Sequence, residues 1–403
     1  MPTLCRVGAS LMCAAAFAAS ANAQELTDAQ VVELIMRESA QANVIRLGAD
    51  VVRREQAARP VFPNPSIGYS REGAGLTEFF QVEQPVPLFG SRQALIRAGA
   101  AATAAAEAER DGRLWQLRSD AQALVARLLA EQEKADASAA TVRDVERIIA
   151  LLRVREQEGE GSRFDRVRAE QELLDVRQIA LDAVASAAEV RASIASFASD
   201  GTRISRVTGT LYADRAAPDV DVLIARAVST RAEIRALGAA MERFRLEAEA
   251  ARRARLPVPA IAGGVKRADV SEGRESGGLF GVSLSIPLFD TGRREAAWWI
   301  AERDRTEAER ALTTQTVRTQ VAAASEVLDL RQDALRAADA AAPAAELARM
   351  AELSYTEGET GVLELLDAHR TVARARIRAV EMRLAARLAQ IALERAVGDT
   401  IWP

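Results

Sequence analysis

Apolar residues recur along this chain in two patterns, one typical of helices and the other typical of strands. The helical pattern is clearest at Leu114, Leu117, Ala121, Leu124 and Leu128, where the spacing alternates between three and four residues. This heptad spacing predicts a closely packed coiled coil, which extends over residues 92–157. A helix of that length would run about 99 Å at 1.5 Å per residue, so it must pack lengthwise against other helices.

The strand pattern appears in two segments that alternate with period two, and each is predicted to form a β-hairpin, at residues 66–86 and 260–286. In the second hairpin, Gly281, Ser283 and Ser285 form a small and polar face. The opposite face is apolar in both hairpins. Its members are Phe80 and Val82 in the first hairpin and Phe280, Val282 and Leu284 in the second.

Several short motifs occur twice in the same order. Pro-Leu-Phe follows both hairpins, at residues 87–89 and 287–289, and Glu-Gly-Glu occurs at 158–160 and 357–359. A Pro-x-Pro motif precedes both hairpins, at residues 63–65 and 257–259. Coincidental proline turns are the alternative, but the shared order favours two tandem repeats, at residues 24–217 and 218–403.

Each repeat is predicted to contain a helix, a β-hairpin, a long helix, a tight tip and a return helix. In the first repeat the opening helix spans 27–59, the long helix 92–157, the tip 158–162 and the return helix 163–199, followed by an irregular linker to 217. In the second repeat the corresponding ranges are 219–255, 292–354, 355–361 and 362–397. The predicted fold is therefore mostly α with a small β part, built from long coiled-coil helical hairpins.

The first 23 residues have the features of a cleavable signal peptide. Arg6 precedes an apolar run, and Ala21-Asn22-Ala23 is a small-residue cleavage signal, so we expect cleavage before Gln24. A buried N-terminal helix is the alternative. Both cysteines lie in this segment, and apolar residues continue past Cys13, which argues against a lipid anchor there.

Composition and motifs exclude several classes of function. A formal net charge of −4 offers no basic surface for nucleic acid. We find no nucleophile–base set, phosphate loop or metal-spacing cluster, so we expect neither an enzyme nor a bound cofactor or metal ion. His369 is the only histidine, and we interpret it as structural or solvent-exposed.

Four antiparallel strands cannot close a barrel, and open sheet edges cannot lie in lipid. Either the sheet is an ordinary soluble one, or several chains contribute strands to a shared barrel. Three chains would supply twelve strands, an allowed size for an outer-membrane barrel.

Four features of the chain resemble the TolC-like outer-membrane efflux factors. They are the doubled unit, the Pro-x-Pro entries to the hairpins, the Gln-Pro-Val-Pro-Leu-Phe-Gly and Ser-Ile-Pro-Leu-Phe-Asp exits, and the glycine-containing tips. The likeness covers residues 24–400 and is nearest to the cation-efflux (cobalt-zinc-cadmium type) branch. It implies a homotrimer with a 12-stranded β-barrel in outer-membrane lipid and a periplasmic α-barrel. It also implies docking to a periplasmic membrane-fusion adaptor and an inner-membrane RND pump.

The function that this resemblance implies is an outer-membrane exit duct of a tripartite efflux system that exports metal cations. Drug or solvent efflux and a type I secretion duct are the alternatives within the same class. An exported coiled-coil scaffold of the cell envelope is the alternative from another class.

The resemblance also assigns roles to residues at the tips. Gly159, Gly161, Gly358 and Gly361 would set the tip turns and contact the adaptor. Glu364 and Asp367 lie three apart on one helix face and would line the pore, although a solvated helix face is the plain alternative. Asp165 and Tyr355 match an acidic residue and a tyrosine of the family's gate. Thr360 occupies a position where the family often has a basic residue, so the mouth would be held shut differently, with Arg163 as a candidate.

Overall fold

The computed structural model of the protein describes residues 24–73, 77–197, 204–270, 273–340 and 344–402. The predicted signal peptide, with both cysteines, lies outside these ranges. So do the middle of the first predicted hairpin turn and the start of the predicted linker, at residues 74–76 and 198–203.

The described part of the chain forms six strands and nine helices, and helices hold most of its residues. In chain order the elements are β1 (Gln24–Thr27), α1 (Asp28–Glu38), α2 (Ala40–Ala58), β2 (Ser66–Glu72), β3 (Thr77–Pro85), α3 (Ser91–Glu158), α4 (Arg163–Ala195), β4 (Ile204–Thr208), α5 (Val220–Thr230), α6 (Ala232–Arg253), β5 (Val258–Val270), β6 (Gly273–Ser285), α7 (Arg293–Asp339), α8 (Ala344–Thr356) and α9 (Val362–Val397). The prediction of a mostly α chain with a small β part is therefore confirmed.

Helix α3 is the longest element, with 68 residues, and other helices pack along both of its halves. Helix α6 packs along the N-terminal half of α3, where a Cβ at Gly112 would lie 3.1 Å from the Ala232 Cβ. Helix α4 follows its C-terminal half, where Arg177 Nη2 lies 2.7 Å from Glu146 Oε1. Because alanine and glycine have little or no side chain, helix axes can approach closely along this seam.

Three helices that the sequence predicted to be continuous are each divided in two. The predicted helix 27–59 breaks at Ser39, whose Oγ accepts a hydrogen bond from the Ala42 N–H at 3.1 Å and so starts α2. The predicted helix 219–255 breaks at Arg231, whose backbone is not helical and whose Nη1 donates to the Ala396 carbonyl at 2.7 Å. The predicted helix 292–354 is also divided, because α7 ends at Asp339 and α8 begins at Ala344.

The linker that the sequence predicted to be irregular contains strand β4, which pairs in parallel with β1. The Gln132 side chain on α3 donates to the Val207 carbonyl at 2.7 Å and accepts from the Val207 N–H at 3.0 Å. Ile204 and Val207 are buried in the same core as Leu128. This small sheet therefore attaches the linker to the middle of α3.

The second sheet is antiparallel, with the strand order β2-β3-β5-β6, and the β3–β5 pair joins the two halves of the chain. In its register Val82 lies opposite Gly263, which lies opposite Phe280, while Ile261 lies opposite Val282. Directly paired residues share a face. The five residues of the predicted apolar face, Phe80, Val82, Phe280, Val282 and Leu284, consequently lie on one side of the sheet, and all are exposed.

Among the described helices, none combines the length and the apolar character that crossing a membrane would require.

Candidate functional site

Two tight turns lie at the end of the helices that is remote from the four-stranded sheet. We call residues 159–162, between α3 and α4, the first tip, and residues 357–361, between α8 and α9, the second tip. Gly159 and Gly358 have φ angles of +80° and +78°, a left-handed conformation that favours glycine. The N–H groups that follow fold back, so that Gly161 donates to the Arg155 carbonyl at 3.0 Å and Glu359 to the Ser354 carbonyl at 2.9 Å.

The second glycine of each tip has a different physical role from the first. A Cβ at Gly161 would lie 2.8 Å from the Glu156 nitrogen, so the close return of the chain excludes a side chain there. Gly361 precedes α9, and its N–H donates to Glu364 Oε2 at 3.1 Å. A Cβ at Gly361 would come within 2.9 Å of the same oxygen.

A shared hydrophobic core holds the two tips side by side. Its buried residues come from four helices: Val145, Ile148, Ile149 and Leu152 of α3, Ala169 and Val176 of α4, Tyr355 of α8, and Val362, Leu365 and Leu366 of α9. The tips therefore belong to one packed unit rather than to two separate hairpins.

Arg155 connects the last turns of α3 and α8, the two helices that lead into the tips. Its Nη1 donates to the Tyr355 carbonyl at 3.0 Å, and its Nη2 to the Thr356 carbonyl at 3.4 Å. The guanidinium also lies 5.0 Å from the centre of the Tyr355 ring, a cation–π distance. Arg155 thus caps the end of α8 with its side chain while its own carbonyl closes the first tip.

Sequence reasoning missed Arg155 and suggested Arg163, which the structure leaves exposed at the start of α4. The only signal for Arg155 in the sequence was its position in the last turn of a long helix, where basic side chains can donate hydrogen bonds to the free carbonyls. Nothing local indicated that those carbonyls would be on another helix. Tyr355, which the sequence analysis assigned to the gate by resemblance, is buried in the core that α3, α4, α8 and α9 share.

The three acidic candidates lie at the starts of the return helices. Asp165 and Glu364 are each the third residue of their helix, α4 and α9, where a negative charge interacts favourably with the helix dipole. Glu364 and Asp367 are both exposed and lie three residues apart, so they share a face of α9. Asp165 is half-buried.

Arginine–carboxylate pairs brace the helices just behind the tips. Arg370 of α9 makes a two-pronged contact with the buried Glu172 of α4, including a 2.7 Å bond from Nε to Oε1. Arg166 of α4 bonds Glu156 of α3 through Nε at 2.5 Å. The Arg166 hydrogen bond lowers the pKa of the Glu156 carboxyl from its ordinary value, against partial desolvation that raises it.

His369 is buried in α9, and its Nε2 lies 3.0 Å from Glu352 Oε1 of α8. Within the described ranges, no three His, Cys, Asp or Glu side chains converge on a point where a metal ion could bind. The structure therefore gives His369 a packing position between α8 and α9.

Both tips also expose an apolar side chain at the second position of the return helix. Phe164 is 71% exposed in α4, and Leu363 is 48% exposed in α9. The residues of the predicted apolar face of the sheet, Phe80, Val82, Phe280, Val282 and Leu284, are at the opposite end of the long helices and do not join this site.

The fold is one of long helices that carry a small antiparallel sheet at one end and tight tips at the other. Solved structures with this fold include CusC, described for its transmembrane channel formation, with 15% identity, a TM-score of 0.72 and coverage of 93% of this chain and 92% of that chain. The outer membrane protein VceC from Vibrio cholerae has 17% identity, a TM-score of 0.71 and coverage of 93% and 97%. The outer membrane channel MtrE from Neisseria gonorrhoeae has 18% identity, a TM-score of 0.71 and coverage of 92% and 89%.

Residues 223–399 match the family model for outer membrane efflux proteins. A search of curated proteins found no significant match. The resemblance of this chain to the TolC-like outer-membrane efflux factors is thereby confirmed, in sequence over the second half and in fold over nearly the whole chain. The family whose model matches residues 223–399 is one of efflux proteins and not of enzymes, in line with the expectation from the sequence.

Proposed function

We propose that three copies of this chain form the outer-membrane exit duct of a tripartite efflux system. The observation that carries this proposal is that both the four-stranded sheet and the layer of helices have unpartnered edges in the described chain. In the four-stranded sheet, β2 and β6 each pair along one edge only. An unpaired edge exposes a row of backbone donors and acceptors that in lipid must find partners.

The helices have the same kind of open edge. On α2, Val44, Leu47 and Val51 are exposed at helical spacing, and on α7 Leu312 and Leu330 are exposed. Exposed apolar stripes of this kind indicate contact with another surface. Because α2 and β2 lie in the first half and α7 and β6 in the second, one side of a copy would meet the other side of the next, and such head-to-tail contacts close into a ring.

Ring closure by three copies would give the twelve-stranded barrel and the helical tunnel that the resemblance implies. We further propose that the two halves of the chain are repeats of one unit, since hairpin, long helix, tip and return helix occur in the same order in both. The exposed face of Phe80, Val82, Phe280, Val282 and Leu284 would then contact lipid, and the face with Ser283 would line the lumen.

We propose that the duct lies in the outer membrane, extends into the periplasm and is delivered there by removal of residues 1–23. At about 1.5 Å per residue, α3 alone would extend roughly 100 Å from the membrane. Mass spectrometry of the envelope-purified protein should find a chain that starts at Gln24. Retention of Met1 or a lipid on Cys13 would contradict this.

We propose that the tips form the periplasmic mouth and contact a membrane-fusion adaptor that links the duct to an inner-membrane RND pump. The exposure of Phe164 and Leu363 beside Gly159, Gly161, Gly358 and Gly361 supports a protein contact there. Tyr355 and Asp165 would form part of the gate. Arg155, bonded to the backbone at the end of α8, would take the part of the basic residue that the family often has at the position of Thr360.

Metal cations are the cargo that we propose, because Glu364 and Asp367 would be repeated around the mouth of the trimer. Rings of carboxylates favour cations in a narrow pore. A strain that lacks the chain should become more sensitive to divalent metals than to uncharged drugs or dyes. Sensitivity to drugs and solvents alone would reassign the cargo.

The duct itself is tested by fractionation and by electrical recording of the purified full-length chain. We expect outer-membrane residence, a trimer on mild gels and stepwise conductance in planar bilayers. A soluble monomer without conductance would favour the alternative of an envelope scaffold.

A further inference from the structure

A row of charged residues crosses the end of the four-stranded sheet that lies farthest from the helices. We call it the outer charged row, and it consists of Arg71, Glu78, Arg267, Asp269 and Arg274. In the strand register, Arg71 of β2 lies opposite Glu78 of β3, and Glu78 lies opposite Arg267 of β5. Asp269 pairs with Arg274 across β5 and β6.

The outer charged row lies on the apolar face of the sheet. Side chains alternate along a strand, so Arg267 and Asp269 share the face of Val265, and Arg274 shares the face of Phe280. Leu284 and Arg274 on β6 are separated by the roughly 9–11 residues that a tilted strand needs to cross a bilayer. If the apolar face contacts lipid, as we propose above, this row therefore lies at the level of the headgroups in the outer leaflet.

Two arginines of the row have no carboxylate partner within the described part of the chain. Arg274 Nε lies 3.1 Å from Asp269 Oδ1, and Arg274 Nη2 lies 3.7 Å from Glu78 Oε2. Glu78 also accepts a hydrogen bond from the Tyr69 hydroxyl at 3.2 Å. Both carboxylates of the row are thus engaged, while Arg71 and Arg267 remain exposed on the two sides of Glu78.

We propose that Arg71 and Arg267 bind a phosphate group of the phosphorylated glycolipid in the outer leaflet. This inference rests on the proposed function, since it requires the sheet to lie in the outer membrane. The planar guanidinium group donates paired hydrogen bonds that match phosphate oxygens. With three arginines against two carboxylates, each row has a net positive charge that complements an anionic headgroup. Repeated three times, the row would fix the duct laterally and vertically among these lipids.

The test measures binding of diphosphorylated lipid A to the full-length trimer in detergent by native mass spectrometry. Arg71→Ala combined with Arg267→Ala should weaken binding roughly tenfold or more, as expected for the loss of charge-assisted hydrogen bonds. Arg71→Gln with Arg267→Gln should give the same loss and keeps the length of the side chains. The matched control is Lys266→Ala. Lys266 is the immediate neighbour of Arg267 but lies on the opposite face, with its Nζ 5.5 Å from the centre of the Phe79 ring.

Dephosphorylated lipid A provides the second arm of the experiment. It should bind more weakly than the diphosphorylated form, and it should bind the wild-type trimer and the double variants equally well. Equal affinity of wild type and both double variants for diphosphorylated lipid A would overturn the proposal, as would an equal loss in Lys266→Ala. Displacement of the lipid by an equal concentration of inorganic phosphate would overturn its assignment to a glycolipid.

The failure of this inference can be distinguished from the failure of the proposed function. If the wild-type chain forms conducting trimers that bind lipid A independently of Arg71 and Arg267, only the lipid site is wrong. If the wild-type chain forms no membrane-inserted trimer, both proposals are wrong.

Discussion

At the scale of single residues, the tips depend on backbone conformations that most side chains resist. Gly159 and Gly358 have positive φ angles, and in both cases the space in the direction of a Cβ is open. The requirement for glycine is therefore one of backbone strain and not of steric contact. Gly161 differs, because the returning chain occupies the space that its side chain would need.

We predict that Gly358→Val lowers the free energy of unfolding by about 1–2 kcal/mol, the cost of a left-handed conformation for a residue with a Cβ. Gly358→Asn should cost less, since asparagine tolerates this conformation. Trimers should still assemble while export falls, because the second tip can no longer present the same surface to the adaptor. Chemical denaturation and an export assay measure both effects.

The control is Gly238→Val, which changes a glycine inside α6 with open space and no positive φ. It should leave both stability and export nearly unchanged. Loss of folding in Gly358→Val would show that this glycine is a structural kink rather than a tip.

We predict that Arg155→Ala raises the conductance of the resting duct. It removes the hydrogen bonds to the Tyr355 and Thr356 carbonyls, and a hydrogen bond from a charged donor contributes about 1.5–3 kcal/mol. Helix α8 would then keep the apolar packing of Tyr355 in the shared core but lose its polar link to the last turn of α3. Single-channel recording at low voltage measures the effect.

Arg147→Ala is the matched control, because Arg147 is on the same helix and, among the residues that the structure describes, forms an ion pair only with Asp144 one turn earlier. It should leave the resting conductance unchanged. An equal rise in both variants, or in neither, would exclude a specific role for Arg155 in closing the mouth.

At the scale of elements, the sequence predicted those helices and strands whose position depends on residues nearby in the chain. The helix predicted over 92–157 lies at Ser91–Glu158, because heptad spacing and the flanking glycines specify its length and its ends. The division at Arg231 could not be predicted, since it depends on a bond to the Ala396 carbonyl far along the chain. Strand β4 was missed for a similar reason, because its partner β1 is remote in sequence.

We predict that the two faces of β6 differ in their tolerance of charge. Val282→Arg should destabilise the inserted protein by about 2–4 kcal/mol if the residue lies near the bilayer midplane. Ser283→Arg should be tolerated, because Ser283 is on the other face and already donates to Glu83 Oε1 at 2.6 Å, so that an arginine would meet a carboxylate. Recovery of folded trimers from outer-membrane fractions measures the difference. Equal tolerance at the two positions would contradict the assignment of the lipid face.

At the scale of the whole molecule, most contacts between distant parts of the chain could not be predicted from local sequence patterns. Alternation of apolar and polar residues indicated which side of the strands is apolar, and the register brought those residues onto one face. The pairing of β3 with β5, which joins the halves, and the contact of Arg155 with the end of α8 are long-range features that no sequence pattern revealed. The open edges of sheet and helices appear only once the elements are assembled.

In the proposed trimer, Glu364 and Asp367 would form rings of carboxylates around the axis, so the selectivity of the mouth would depend on the assembly. Carboxylates crowded in a narrow mouth create a negative potential that concentrates cations and excludes anions. Since Glu364 also accepts the Gly361 N–H at 3.1 Å, the variant that isolates charge is Glu364→Gln with Asp367→Asn, which keeps an acceptor at this position. We predict a lower cation preference and weaker block by divalent and trivalent ions.

Reversal potentials in planar bilayers under a salt gradient measure this preference, and addition of multivalent cations to the periplasmic side measures the block. The control is Glu326→Gln with Asp329→Asn, which removes two exposed carboxylates with the same spacing from α7, away from the tips. The control should behave as wild type because its charges are remote from the mouth and are screened over roughly 10 Å at 0.1 M salt. Unchanged selectivity and block in the tip variant would mean that Glu364 and Asp367 are a solvated helix face, and cation preference would then have to arise elsewhere in the duct.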